Sequence, residues 1–244
     1  MIHLPRPARD ADAPHGNTDL GPLPEWDLSD LYTSPYAPEL QRDLDWLQTA
    51  CAEFARDYEG RLAELDGGAM LECVHRNERI SAVAGRIMSF AGLRYYQQTT
   101  DAGRAKFLSD CQQKITDYTT PLVFFTLELN RLDDAHVDAL LAGNAELGRY
   151  ARVFARIRAM KPYQLSDELE KFLHDLGVVG DAWERLFDET VAGLEFVVDG
   201  ESMGIESTLN LLTDPVRAKR EAAAREIARV LADNRHIFAR VHNT

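Results

Sequence analysis

The sequence predicts an all-α fold, an antiparallel helical body of about seven to nine helices with one small β-hairpin near residues 194–204. Three observations carry this. Beyond residue 38, apolar residues recur at alternating steps of three and four, the rhythm of helices that bury one face. Capping residues, glycines and prolines punctuate these stretches where helices start and stop. Residues suited to strands gather only around "LEFVVDGESMG", where Asp199-Gly200 is a hairpin turn pair.

Residues 1–22 are rich in Pro, Asp, Gly and Asn without periodicity, and read as a disordered or draped arm. Order is expected from "LPEWDLSDLYTSPYAPEL", where Trp26, Leu28, Leu31 and Tyr32 offer apolar anchors for a strap on the helical body. The first helix starts near Pro38 and sets Leu40, Leu44, Leu47, Cys51, Phe54 and Tyr58 on one face, until Asp66-Gly67-Gly68 breaks the pattern. A second runs from about Ala69 through Ile80, Val83, Ile87 and Phe90 to about Gln98. A third begins at about Asp101 and carries Phe107, Leu108, Cys111, Ile115, Tyr118, Leu122 and Leu129; the apolar rhythm resumes beyond Pro121, so a kink is expected there rather than an end.

Shorter helices are expected over 134–142, 145–160, 167–176 and 181–193, with Ser166 capping the third of these and Gly177 stopping it. After the hairpin comes a turn-helix at 206–212. The last helix takes Asp214 as its cap and Pro215 as its first residue, and continues to the C-terminus. The organisation is therefore an arm (1–22), an N-terminal helical domain with strap and three long helices (23–132) and a second helical segment with the hairpin (133–244).

The 244 residues are 45% apolar, enough for a sizeable core. No window approaches the roughly 18 uninterrupted apolar residues of a membrane span, and "MIHLPRPARDADAPHG" lacks the apolar stretch of a secretory signal, so a cytoplasmic location is the expectation. A formal charge of −13 repels phosphate backbones and anionic lipid, and neither nucleic acid nor membrane is an expected partner. Cys51, Cys73 and Cys111 lie far apart with no Cys-x-x-Cys and are expected to be reduced and buried.

Several side chains invite a chemical reading. His236 and His242 stand six apart, so on a straight helix they diverge by roughly 120° and cannot hold one ion together. Glu72 and His75 have the Glu-x-x-His spacing of di-iron bundles, but such a site needs a second Glu-x-x-His and two further inward glutamates, the sequence holds no second copy, and the pair reads as surface. Glu170 and His174, beside Lys171 and Asp175, read as an exposed helix face with local charge pairing. The last helix carries Arg217, Lys219, Arg220, Arg225, Arg229, Arg235 and Arg240, interleaved with Glu221, Glu226 and Asp233; the mixture points to a solvated or interdomain face rather than a nucleic-acid helix. There is no phosphate-binding Gly-x-x-x-x-Gly-Lys, no Gly-x-Ser-x-Gly and no His-Glu-x-x-His. No catalytic, cofactor-binding or metal-binding residue is expected in the chain.

Three segments in order resemble one family. "LPEWDLSDLYTSPYAPELQRDLDWL" is similar to the N-terminal lead-in of oligoendopeptidase F type zinc metallopeptidases, cytoplasmic relatives of the thimet oligopeptidase group. "LSDELEKFLHDLGVVGDAWERLFDETVAGLEFVVDG" resembles the family's helix, Trp-containing helix and hairpin, and "LLTDPVRAKREAAAREIARVLADNRHIFARVHN" its next long helix, so the likeness covers about Leu23 to Asn243. The resemblance implies a helical N-terminal part that walls a channel for short peptides, with zinc, two histidines and a general-base glutamate in a catalytic domain outside these residues. It further implies that this chain alone is inactive and binds no zinc, and that it exposes apolar surface, with self-association or poor solubility the expected result. A freestanding helical scaffold for protein interactions is the alternative reading.

Overall fold

The computed structural model describes residues 25–243. The arm expected over 1–22 lies outside them. The all-α class with one hairpin is borne out.

Helices α1 (Pro38–Tyr58), α2 (Gly67–Gln97) and α3 (Ala102–Thr119) form the main body. The six residues of the α1 stripe, Leu40, Leu44, Leu47, Cys51, Phe54 and Tyr58, are all buried. They meet Met70, Ile80, Ile87 and Phe90 of α2 and Leu108 and Cys111 of α3. Each large apolar side chain so buried contributes about 1.5–3 kcal/mol. Asp66 caps α2 by accepting from the Gly68 and Ala69 N–H groups, and Asp101 caps α3 through the Arg104 N–H. The strap is pinned by one aromatic above all. Tyr32 is buried, its ring meets Phe90 edge-on at 5.3 Å and its hydroxyl donates to Asp43 at 2.6 Å, whereas Trp26 stays largely exposed.

Pro121 does more than kink the third helix. α3 ends at Thr119, residues Thr120–Leu122 make a tight 3-10 turn, and α4 (Phe124–Arg131) begins beyond it. The reason lies in the proline, which has no N–H to give the Asp117 carbonyl, and in the two threonines before it, whose hydroxyls donate back to the carbonyls of Ile115 and Thr116, a back-bonding that bends a helix. Redirected, α4 sends Phe124, Phe125 and Leu129 into the main core.

α5 (Asp134–Gly143), α6 (Ala145–Gly148) and α7 (Ala151–Arg158) add Val137, Leu140, Leu147 and Phe154 to the same cluster, which therefore crosses residue 132. The single helix expected over 145–160 is divided at Arg149 and Tyr150, where Tyr150 turns to donate its hydroxyl to Glu78 of α2 at 2.8 Å.

The expected stop at Gly177 is overruled. α8 runs unbroken from Asp167 to Ala192, capped by Ser166 as expected. Gly177 and Gly180 each cost the helix about 1 kcal/mol relative to alanine. Contacts on both sides of them tie the helix to α3: His174 Nε2 lies 3.2 Å from Thr119 Oγ1, and Gln112 donates to Asp181 at 2.9 Å.

β1 (Phe196–Val198) and β2 (Glu201–Met203) pair antiparallel, Val198 opposite Glu201. Asp199 and Gly200 have φ of 52° and 85°, the left-handed pair that such a two-residue turn demands. Beyond α9 (Ile205–Asn210), α10 spans Arg217–Asp233 and α11 Arg235–Asn243. α10 thus starts two residues after Pro215, because Asp214 spends its carboxylate on the Val216 N–H in a local turn. The expected single terminal helix is broken at Asn234, whose side-chain amide donates to the Val230 carbonyl. A second, small cluster of Leu194, Phe196 and Val230 joins hairpin to α10.

Candidate functional site: the outer face of α8 and its groove

The residues that invited a chemical reading fall in separate places. Glu72 and His75 are exposed on α2, and the His75 ring packs edge-on against Tyr150 at 6.0 Å. Glu170 accepts from the Leu165 N–H at 2.8 Å, closing the start of α8, while His174 faces Thr119. His236 and His242 sit exposed on α11. Among the described residues, no three His, Cys, Asp or Glu side chains converge as a metal-binding group. The basic series on α10 is knitted locally, Arg225 to Glu221 and Arg229 to both Glu226 and Asp233.

The feature that the sequence reading missed is α8. Its inward side is polar: Lys171 reaches Glu59, Asp175 accepts from Thr120, Asp181 and Arg185 bracket Gln112. Its outward side is apolar. At 100° per residue, Leu169, Phe172, Leu176, Val179, Trp183 and Leu186 fall in one stripe, and no residue of the helix is fully buried. Phe172 remains 56% and Val179 53% exposed. An ordinary surface helix is oriented the other way round.

At the C-terminal end of the stripe lies a groove of roughly 950 Å³ between α8, α10 and α11. Phe187, Val191, Leu194, Leu231, Phe238 and Val241 line it, with Arg235 and His242 at its margin. Phe238 of α11 meets Phe187 at 6.0 Å, closing one side. The groove offers apolar contact and no convergent polar machinery, so it can hold a nonpolar group but carries no nucleophile or acid–base pair.

Away from the groove lining, Glu226 ties α10 to the hairpin. One carboxylate oxygen accepts from the Val197 N–H of β1 at 3.0 Å while Arg229 donates to both. These hydrogen bonds, Arg229 first, hold the Glu226 carboxyl down at about 2, against an ordinary 4.5. A depressed value means that the contribution is full above about pH 4.5 and is lost as pH falls towards 2. Glu226→Gln is therefore expected to accelerate amide exchange at Val197 near pH 7 and to match the parent chain near pH 2. A difference that persists unchanged at both would refute this.

Residues 128–196 match the family model described as Oligopeptidase F. The chain resembles the N-terminal part of oligopeptidase F. The matched oligopeptidase F segment starts at Glu128, whose carboxylate accepts from the Gly60 and Leu62 N–H groups, and ends in β1, so it holds the whole of α8. The crystal structure of oligoendopeptidase-F from Enterococcus faecium superposes with a TM-score of 0.73 at 20% identity, covering 83% of this chain and 41% of that one. This likeness shows the fold. The chain thus spans well under half the length of that solved oligoendopeptidase-F. A second solved chain, from Chlamydophila abortus, aligns at 18% identity over 89% of this chain and 37% of its own length, with a TM-score of 0.47. No curated protein matches the sequence.

Proposed function

We propose that this chain is the N-terminal, non-catalytic part of a zinc-dependent oligoendopeptidase that hydrolyses short peptides, and that it forms a wall or lid of the substrate channel. One observation carries the reading: a segment with oligopeptidase F sequence character lies inside a chain whose fold matches less than half of a solved oligoendopeptidase-F. The described residues do not fit the zinc ion that such an enzyme uses, because no set of three donor side chains converges and the sequence has no His-Glu-x-x-His. The metal, its ligands and the general base then belong to a region outside these residues. Peptides and that region are the partners. A cytoplasmic location is part of the same proposal; among the described residues no helix is long and apolar enough to cross a membrane.

The gating role is tested with the whole gene product. It should cleave short unfolded peptides and leave folded proteins intact; cutting large folded substrates as readily would contradict a channel wall. The outward stripe of α8 also suits a second reading, a freestanding scaffold that docks another protein. The DNA downstream of the Thr244 codon separates the two, an open frame encoding His-Glu-x-x-His favouring the first and a stop codon the second.

A further inference from the structure

We infer that a pocket at the N-terminal end of α8 binds a free apolar α-amino acid. The pocket lies where α4, α7 and the link from α7 to α8 meet, and its volume of about 390 Å³ is at the small end of the range for ligand sites. The inference concerns side chains within this chain and does not depend on the function proposed above.

The observation that carries it is Asn130 of α4. Asn130 and Thr208 are the two polar residues buried among those described. The Thr208 hydroxyl donates to the Gly204 carbonyl at 2.8 Å. Asn130, only 4% exposed, lines the pocket, and its Oδ1 has no hydrogen-bond partner among the described residues. A buried amide oxygen ordinarily finds a donor. The neighbours that could have supplied one are engaged elsewhere: Gln164 donates to the Leu127 carbonyl and Thr126 to the Val123 carbonyl, each at 3.4 Å. A leucine in place of Asn130 would extend the apolar face that Phe124, Phe125 and Leu127 already make, with no orphan; asparagine instead leaves an acceptor in the wall of the cavity.

The rest of the lining specifies the ligand. Glu170, in the first turn of α8, gives Oε1 to the Leu165 N–H, which leaves Oε2. With Asn130 Oδ1 it can take an ammonium, whose three N–H groups each need an acceptor. Arg156 of α7 is exposed, lines the pocket and forms no ion pair with a described residue, so its planar fork is open to a carboxylate. Leu127, Ile157 and Met160 supply the apolar wall, Met160 being a pliable one that is 59% exposed. A cation, an anion, an amide acceptor and an apolar wall in one small cavity match a zwitterion with a nonpolar side chain. A simple carboxylate meets Glu170 and a simple amine meets Arg156, so both are disfavoured.

Isothermal titration of the 244-residue chain with L-leucine tests this. Saturable binding of one molecule per chain is expected, with a dissociation constant of about 0.1–1 mM. 4-Methylpentanoate, which lacks the ammonium, and L-leucinamide, which lacks the carboxylate, should each bind about 10-fold more weakly or worse. Asn130→Leu removes the acceptor and should weaken leucine binding about 10-fold. Arg156→Gln, at an exposed position where folding is not at stake, should weaken it by about the same factor. The Met160 methyl resonance, assigned through its loss in Met160→Leu, should shift during the titration. No saturable binding up to about 20 mM leucine would mean that Asn130 is served by an ordered water only, and overturns the inference. Leucine binding that neither Asn130→Leu nor Arg156→Gln weakens, or that leaves the Met160 resonance in place, puts the ligand elsewhere and overturns it equally. Equal binding of leucine and 4-methylpentanoate overturns the assignment of an amino acid.

Discussion

Phe54→Ala is expected to lower the unfolding free energy by about 3–5 kcal/mol, the range for truncating a fully buried phenylalanine. Phe54 sits where α1, α4 and α2 converge. Its ring lies 4.9 Å from Tyr58 and 5.8 Å from both Phe124 and Phe125, and the Arg76 guanidinium caps the cluster, 5.1 Å above Tyr58. Because these neighbours belong to different helices, none can collapse into the hole without dragging its own helix. Phe54→Leu keeps much of the volume and should cost less than half as much. Urea unfolding followed by circular dichroism measures both; a loss below about 1 kcal/mol for alanine would show that the four rings do not form a packed unit.

Arg158→Ala is the second large effect, about 2–3 kcal/mol. The Arg158 side chain, 11% exposed, runs from α7 under the end of α4. It donates to the carbonyls of Leu129 and Leu132, the latter at 2.8 Å, and to the Asp134 carboxylate. Two terminal acceptors of α4 thus depend on one guanidinium. The ion pair is the lesser part, since Asp134 is 84% exposed and screened by water. Hence Asp134→Asn should lower stability far less than Arg158→Ala, and Arg158→Lys, which keeps the charge but loses the fork, should fall close to the alanine variant. Equal losses for Asp134→Asn and Arg158→Ala would mean that the charge pair, rather than carbonyl satisfaction, dominates.

Strong periodicity made the main body legible. The α1 stripe, the Asp101 cap of α3 and the Asp199-Gly200 turn each follow from a local rule that tertiary packing reinforces. The departures occur where a long-range contact outweighed a local signal. Gly177 reads as a stop because glycine costs a helix interior about 1 kcal/mol, yet Gln112 and Thr119 of α3 hold α8 on both sides of it. At Pro121 the opposite happened: apolar rhythm suggested continuity, while the proline has no N–H for the Asp117 carbonyl and the Thr119 and Thr120 hydroxyls bond back into the last turn of α3.

The candidate surface was hidden by the same misreading. Leu169, Phe172, Leu176, Val179, Trp183 and Leu186 form one stripe only when the helix is drawn through Gly177. With helices expected over 167–176 and 181–193, three of the six fall on the first, two on the second and Val179 on neither. Which side of α8 faces inward is not in its own pattern at all; it depends on polar partners from α3 that lie more than fifty residues away in sequence.

The proposal at the centre of this account is that these residues wall the path of a peptide in a longer zinc enzyme, whose metal, ligands and general base lie outside them. The most direct test incubates the purified chain with added zinc and a quenched fluorescent peptide, beside the whole gene product at equal concentration. Cleavage by the longer product alone is the predicted result. Zinc-dependent turnover by the 244-residue chain, free of contaminating peptidase, would contradict it.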